Sequence, residues 1–415
     1  MTAATFSALA APSYRTYLTG QVFANTGMWM ASIAQDWLVL EMTGSSAAVG
    51  ITMAMSFLPM LLFGVYGGVI ADRYPKRRIL LATQSCFAVV QAVLAAVCLL
   101  GYVRAWQVWV LALAGGFVFL VDNPARQVFV HEIVDGGDIR NAIALNGAVL
   151  HATRLVGPAV GALLVSSIGA GWAFAVNAAC CVVPVVTLLR LHPVAVAPPA
   201  PRGKGQLLEG LRYVRRHPQI ARIIVMVATV GMMGLNFPIV LTAMAREFGR
   251  GAGTYGMFNV VLALGSVAGA LWAAGRSRAR TRQILLAALV FGLTQAGAAF
   301  APDLGVFVLL LVPMALANLA FQALANSRVQ LATEPEYRGR VMAIYMLVFI
   351  GTTPLGAPLV GAVTSAWGPR AGMALCGLVP AVVAVALGAF GLRGAWASVL
   401  PTVLTRSALG TKEAT

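Results

Sequence analysis

Three ionisable residues stand inside long apolar runs of this chain: Asp36, Asp122 and Arg154. A charge in such a run is costly, so it must be paired or must do something. A carboxylate taken out of water between helices holds a proton more readily, and can exchange it as its surroundings alternate. Asp36 sits in Gln35-Asp36-Trp37, and reads either as a proton carrier or as a polar residue near an interface. Asp122 has Arg126 four residues on, the spacing of a helical ion pair, so a structural pair stands beside direct protonation. Pro124 between them removes a backbone donor. Arg154 stays charged at any accessible pH and needs an acid, a carbonyl, water or an anionic ligand. Asp122 is one candidate partner. His151, one turn earlier, reads as a proton relay or a packed polar side chain.

The elements around these residues follow from composition. The chain has 415 residues, 60% hydrophobic and only 10% charged, where soluble domains average roughly 25% charged. That describes a polytopic, all-α integral membrane protein. The net charge of +16 would suit nucleic acid, but the basic residues fall between apolar spans, where they read as topology signals and lipid head-group partners. The five cysteines lie in apolar runs without a CxxC pair and read as small buried hydrophobes. No G-x-x-x-x-G-K-[ST] loop is present, which excludes ATP hydrolysis of that type. No His, Asp, Glu or Cys cluster has metal-ligand spacing, and no catalytic cluster suggests an enzyme. Neither a cofactor nor a metal is expected.

At about 20 apolar residues per span, twelve spans fit: 16–39, 46–70, 79–101, 106–130, 139–166, 171–191, 219–245, 253–275, 283–301, 304–328, 341–365 and 370–393. The amino terminus lacks a basic region before a short apolar core and a cleavage site, so the first span is expected to act as an uncleaved anchor. With that terminus inside, only Arg104, Arg246, Arg250 and Arg370 fall in outer loops, Arg126 and Arg154 lie within spans, and every other Lys and Arg is cytoplasmic. The positive-inside rule selects this orientation, with both termini cytoplasmic. Arg predominates over Lys, which occurs three times; this suggests a GC-rich coding genome and hence a bacterial plasma membrane.

One connection is long. It opens with Pro193, Pro198, Pro199 and Pro201, a stiff linker composition. It continues as an amphipathic helix with Leu207, Leu211 and Val214 on one face, expected at the cytoplasmic surface. The expected domains are an N-terminal six-helix bundle (1–191), this linker (192–218), a C-terminal six-helix bundle (219–393) and a cytoplasmic tail (394–415). The halves read as copies. Gly68-Val-Ile-Ala-Asp72 and its basic turn correspond to Gly269-Ala-Leu-Trp-Ala273 followed by Arg276, Arg278, Arg280 and Arg282. Gly157-Pro158-Ala-Val-Gly161 corresponds to Ala357-Pro358-Leu-Val-Gly361. Parallel repeats of this kind are a feature of transporters. Gly64 and Gly68 are placed to let a neighbouring helix approach closely.

Gly68-x-x-x-Asp72-Arg73-x-x-Lys76-Arg77-Arg78 resembles the signature between helices 2 and 3 of the major facilitator superfamily, with Pro75 where a glycine is usual. A finer resemblance, to the branch of enterobactin exporters and drug:proton antiporters, is carried by several runs. They are Trp37-Leu-Val-Leu-Glu-Met-Thr-Gly44, Asp122-Asn-Pro-Ala-Arg-Gln127, Arg154-Leu-Val-Gly-Pro158, Glu209-Gly-Leu-Arg-Tyr-Val-Arg-Arg216 and Arg338-Gly-Arg340. The resemblance implies two pseudo-symmetric six-helix bundles around a central cavity, alternating access, and export exchanged for protons. Gly157, Pro158 and Gly161 partly match the exporter motif of helix 5. Asp72 is implied to face the start of helix 11 in a cytoplasmic gate with Gly68, Arg73, Lys76, Arg77, Arg78, Arg126, Arg338 and Arg340; Glu132, Glu334 and Glu336 could add ion pairs.

Candidate cavity residues are Asn25, Trp29, Gln35, Asn146, Asn236, Asn318, Gln322 and Tyr345, with Asn326 continuing the stripe of Asn318 and Gln322. The expected partners are a hydrophobic or amphipathic small molecule (a drug, antibiotic or siderophore), protons and membrane lipid, with no nucleic acid, in a monomer. The expected function is proton-coupled export. Import or uniport by the same fold, and a lipid-modifying membrane enzyme, are the alternatives.

Overall fold

A computed structural model of the chain describes residues 7–134, 138–191, 206–275 and 280–409, leaving out the side chains of Val65, Asp72, Arg140, Gln206, Leu207, Ala274 and 390–409. The proline-rich part of the linker, and Arg276 and Arg278, lie outside the described residues.

The first half is α1 (Pro12–Thr43), α2 (Ser46–Arg73), α3 (Lys76–Leu99), α4 (Ala105–Ile133), α5 (Ile139–Ile168) and α6 (Ala170–Arg190). The linker contributes α7 (Gln206–Arg216). The second half is α8 (Pro218–Thr229), α9 (Phe237–Glu247), α10 (Ala252–Ala274), α11 (Thr281–Ala298), α12 (Leu304–Ala332), α13 (Pro335–Ile350), α14 (Thr353–Trp367) and α15 (Pro369–Leu409). Helix ends follow local chemistry. Pro12 stands in the first turn of α1, where its missing N–H costs nothing. Gly44 ends that helix at φ 65 and donates its N–H to Leu40 O. Asp303 caps α12 by accepting from Val306 N at 2.9 Å.

The repeat is visible in the backbone. α5 and α6 meet at Gly169 (φ 93, ψ 163), and α14 and α15 meet at Gly368 (φ 88, ψ 166). Both turns need a conformation that only glycine adopts easily. Packing repeats too: α2 on α4 matches α10 on α12, α3 on α6 matches α11 on α15, and α3 on α4 matches α11 on α12. The halves meet mainly along α5 with α10 and α2 with α14.

Ten segments among the described residues are long and apolar enough to cross a membrane. α1 and α11 are not among them, although they pack inside the same assembly at the places of the first and ninth expected spans. α1 is diluted by polar residues such as Gln21, Asn25, Gln35 and Asp36, and α11 is only 18 residues long.

Three details go beyond the sequence reading. The seventh and eleventh expected spans are each one candidate span (Pro218–Glu247 and Pro335–Trp367), but neither is a continuous helix. A π-turn at Val230–Gly234 separates α8 from α9, and Gly351-Thr352 separates α13 from α14. Asn236, fully buried, stands at the first break and donates Nδ2 to Met232 O and Met233 O at 2.8 and 3.0 Å. Second, the close approach of α2 to α4 is made by Gly67, whose added Cβ would meet Leu120 O, while the nearest atom to Gly64 is Met60 Sδ of its own helix. Third, α7 buries Tyr213 and Val214 against α13 and leaves Leu208 and Leu211 exposed. Tyr213 stacks between His217 and Tyr337, with centroids 4.0 and 4.7 Å away. Glu209 pairs with Arg340 at 3.1 Å. A large aromatic face offers more packing area than the leucines.

Candidate transport site

The two ends of the assembly differ. At the Gly44 end the halves touch: Ala47 N donates to Ser365 Oγ at 2.9 Å. A Cβ on Gly50 would lie 2.5 Å from Ala357 O, and one on Gly256 would strike Ala162. Toward the Arg73 end lies a cavity of about 560 Å³ whose wall comes from α5, α10, α12 and α13. Its polar lining is His151, Gln322, Asn326, Ser327, Gln330 and Tyr345, and Leu319, Met346 and Phe349 supply apolar wall. The α12 residues line up because 322, 326 and 330 are one turn apart. Gln322 donates to Asn318 Oδ1 at 2.9 Å, and Gln330 to Asn326 Oδ1 at 2.6 Å. Gln322 and Tyr345 are both in this lining. Asn25, Gln35 and Asn146 are half-buried and lie outside its lining.

Arg154 is on α5, three residues from His151 and therefore on the same side of the helix. Its guanidinium carbon stands 5.3 Å from the centre of the Trp29 ring, so Trp29 carries the arginine rather than presenting a free face. Among the described residues Arg154 has no carboxylate partner. The Trp29 indole N–H is buried without an acceptor. Gly157 and Gly161 make this placement possible. Cβ atoms there would lie 2.5 Å from Trp29 Cβ and 2.6 Å from Met30 O, so only glycine lets α5 lie this close to α1. Pro158 in turn faces Gly256 of α10.

The two acids have opposite surroundings. Asp122 is 4% exposed and accepts four hydrogen bonds: from Thr83 Oγ1 at 2.7 Å, Gln84 Nε2 at 2.9 Å, and Arg126 Nε and Nη2 at 2.9 and 2.7 Å. Arg126 also donates to Gln21 Oε1. Asp122 is thus committed to Arg126, not to Arg154. Asp36 is 6% exposed and accepts one hydrogen bond, 2.8 Å from Tyr255 Oη on α10. That bond crosses between the halves, beside the Gly44-end contact, and no cation pairs with Asp36 among the described residues.

Among the described residues, no hydrogen bond or ion pair joins the side chains of Arg73, Lys76, Arg77 or Arg78 to helix α13. Arg77 donates to Leu188 O and Leu189 O at 2.8 and 2.7 Å, capping α6. Lys76 lies in electrostatic reach of Glu132, and Arg73 and Arg78 are exposed. Arg338 reaches Thr333 O, and Arg340 is held by Glu209 over the Tyr337 ring. The side chain of Asp72 lies outside the described residues. Sequence reading missed Tyr255, Thr83, Gln84 and Gln21. Their contacts join helices distant along the chain, and no spacing signals them.

A cavity between two repeated helical halves, closed at one end by contacts between those halves, defines a secondary membrane transporter. The chain belongs to the transmembrane secretion effector family, which it matches over residues 3–400, and is a multi-pass member of the major facilitator fold acting on a small molecule. It is 28% identical to the multidrug efflux pump Tap of Mycolicibacterium fortuitum, over 88% of this chain and 93% of that protein. It is 24% identical to the staphyloferrin A transporter of Staphylococcus aureus, over 82% and 87%. It is 22% identical to the enterobactin exporter EntS of Salmonella choleraesuis, over 91% of each. Solved structures share the fold. An inward-facing, unoccupied bacterial homologue of the human lysosomal transporter Spinster has a TM-score of 0.72 at 15% identity, covering 91% of this chain and 96% of that one. A D-xylose–proton symporter has a TM-score of 0.69 at 12% identity, covering 90% and 96%.

Proposed function

We propose that this chain is a proton-driven exporter of an amphipathic small molecule, working in a bacterial plasma membrane with its Arg73 end and both termini in the cytoplasm. α1 and α11 count as membrane spans in this reading, giving two six-helix bundles (1–191 and 219–393) that rock about the linker of 192–218, before a cytoplasmic tail (394–415). The similarity to Tap and EntS supports export, and the distribution of basic residues supports the orientation.

The observation that carries the coupling is the Asp36–Tyr255 hydrogen bond between the halves. Closing the Gly44 end takes Asp36 out of water. A neutral carboxyl is far cheaper to bury than a carboxylate. A proton taken from outside therefore favours the return to the form open toward the cytoplasm, and Tyr255 holds the carboxylate once the proton leaves. Each proton contributes about 2.3 kcal/mol per 100 mV crossed. Substrate enters the cavity at the Arg73 end. Asp72, Gly68 and the basic turn, with Arg338 and Arg340, close that end in the opposite conformation.

The test is transport in inside-out vesicles, using compounds picked by a screen in cells lacking their own exporters. Uptake should rise with an imposed proton gradient and collapse with a protonophore. Uptake indifferent to both would refute the coupling.

A further inference from the structure

The charge inside the cavity limits what it takes. None of its lining residues is Asp or Glu. Asp122 is bound by four donors, and Asp36 is held by Tyr255 beside the closed Gly44 end. Among the described residues, no acid lines the cavity to meet a cationic substrate. A positive charge stands beside its α5 wall: Arg154 is three residues from the lining His151, though not itself among the lining residues. Arg154 rests on the Trp29 ring, a contact that satisfies the face of the guanidinium and none of its N–H donors. Those donors lie along the edges, where they suit a carboxylate. The neighbouring indole N–H is also buried without an acceptor, so two donors side by side lack oxygen partners. The cavity wall itself carries the amide ladder of Gln322, Asn326 and Gln330, which can donate to or accept from the remainder of a ligand.

We propose that the transported molecule is an amphipathic organic anion whose carboxylate is held by Arg154, with its body against the α12 amide ladder and the Leu319, Met346 and Phe349 wall. This rests on the cavity being the transport site, as argued above, and names the class of its substrate. Trp29 acts as a positioning residue: its ring fixes the guanidinium face-on and leaves the donor edges open. Arg154 stays charged throughout the cycle, so it selects substrate and does not carry the proton. Substrate and proton then occupy separate groups.

The purified full-length protein offers a direct test with two dyes that share a xanthene ring system, anionic fluorescein and cationic rhodamine 6G. Wild type should bind fluorescein at least tenfold more tightly than rhodamine 6G, and this comparison requires no variant. Arg154→Gln should lose roughly ten- to hundredfold in fluorescein affinity, the loss expected for one charge-assisted hydrogen-bonded contact, while rhodamine 6G is unaffected or gains. Arg154→Lys should recover part of the loss. Tighter binding of rhodamine 6G, binding of neither dye, or unchanged fluorescein affinity in a folded Arg154→Gln protein overturns the proposal. Vesicle transport keeps the two readings apart. Proton-driven uptake of rhodamine 6G by wild type would sink the anion site and leave export standing. Arg154-dependent fluorescein binding without proton-driven uptake of either dye would leave the anion site standing and sink the coupled export.

Discussion

Asp36 and Asp122 are both carboxylates buried between helices, at 6% and 4% exposure, yet the protein treats them differently. Asp122 receives four hydrogen bonds from its own half, two of them from an arginine one turn away. The ion pair and its amide and hydroxyl partners tie α4 to α3, and Arg126 extends the network to Gln21 on α1. The Asp122 carboxylate is the counter-charge of a buried guanidinium. Asp36 receives one hydrogen bond, and its donor belongs to the opposite half. An acid serves as a load when its proton costs few interactions and when its burial changes as the halves move. In the proposed cycle Asp36 meets both conditions and Asp122 meets neither.

The largest expected effect is at Asp36. Asp36→Asn fixes the side chain in a form that resembles the protonated acid. Gradient-driven accumulation in vesicles should fall to background, because no proton is released. Exchange of labelled for unlabelled substrate should persist, because that half of the cycle moves no net proton. A variant that still concentrates substrate under a proton gradient would erase the distinction between the two acids.

Next is Asp122→Ala, which leaves Arg126 buried without its carboxylate. Removing one partner of a buried pair costs about 3–5 kcal/mol, so the variant should unfold at markedly lower temperature or denaturant and accumulate poorly. The folded fraction should keep its response to the proton gradient. Loss of coupling with stability intact would reverse the two roles.

Much of this contrast was written in the sequence, and part of it was not. Asp122 and Arg126 are four residues apart, and helical periodicity alone puts them together. Most of the spans were legible from apolar length. Gly157 and Gly161 were legible as packing positions because no other residue permits such contact. Three kinds of feature were hidden. The breaks inside the seventh and eleventh spans leave mean hydropathy high, since Gly231, Gly234 and Gly351 carry no polar side chain and stand among strongly apolar neighbours. Gly67 and not Gly64 meets α4, because the choice among adjacent glycines depends on helix rotation. Tyr255 lies 219 positions from Asp36, and a tyrosine at the start of an apolar span carries no mark of which acid it will meet. The cavity's charge needed the structure as well: only there does Asp122 prove unavailable to Arg154.

The finest test of the comparison is Tyr255→Phe, with the smallest expected effect. It removes only a hydroxyl, keeps the ring packed in a fully buried site, and leaves Asp36 in place. A hydrogen bond to a charged acceptor contributes about 1.5–3 kcal/mol, and part of that loss returns as water reaches the carboxylate. Roughly tenfold slower proton-driven uptake is therefore expected, together with a shift of the population away from the form closed at the Gly44 end. Spin labels at Ser45 and Ser365, which touch across that closure, would report the shift as a longer distance. The decisive measurement is the double variant. If Tyr255 acts through the ionised acid, adding Tyr255→Phe to Asp36→Asn should change exchange far less than it changes wild-type transport, because a neutral amide has no charge for the hydroxyl to hold. Additive effects would mean that Tyr255 supports packing of α10 on its own account, and the bond between the halves would lose its place in the coupling.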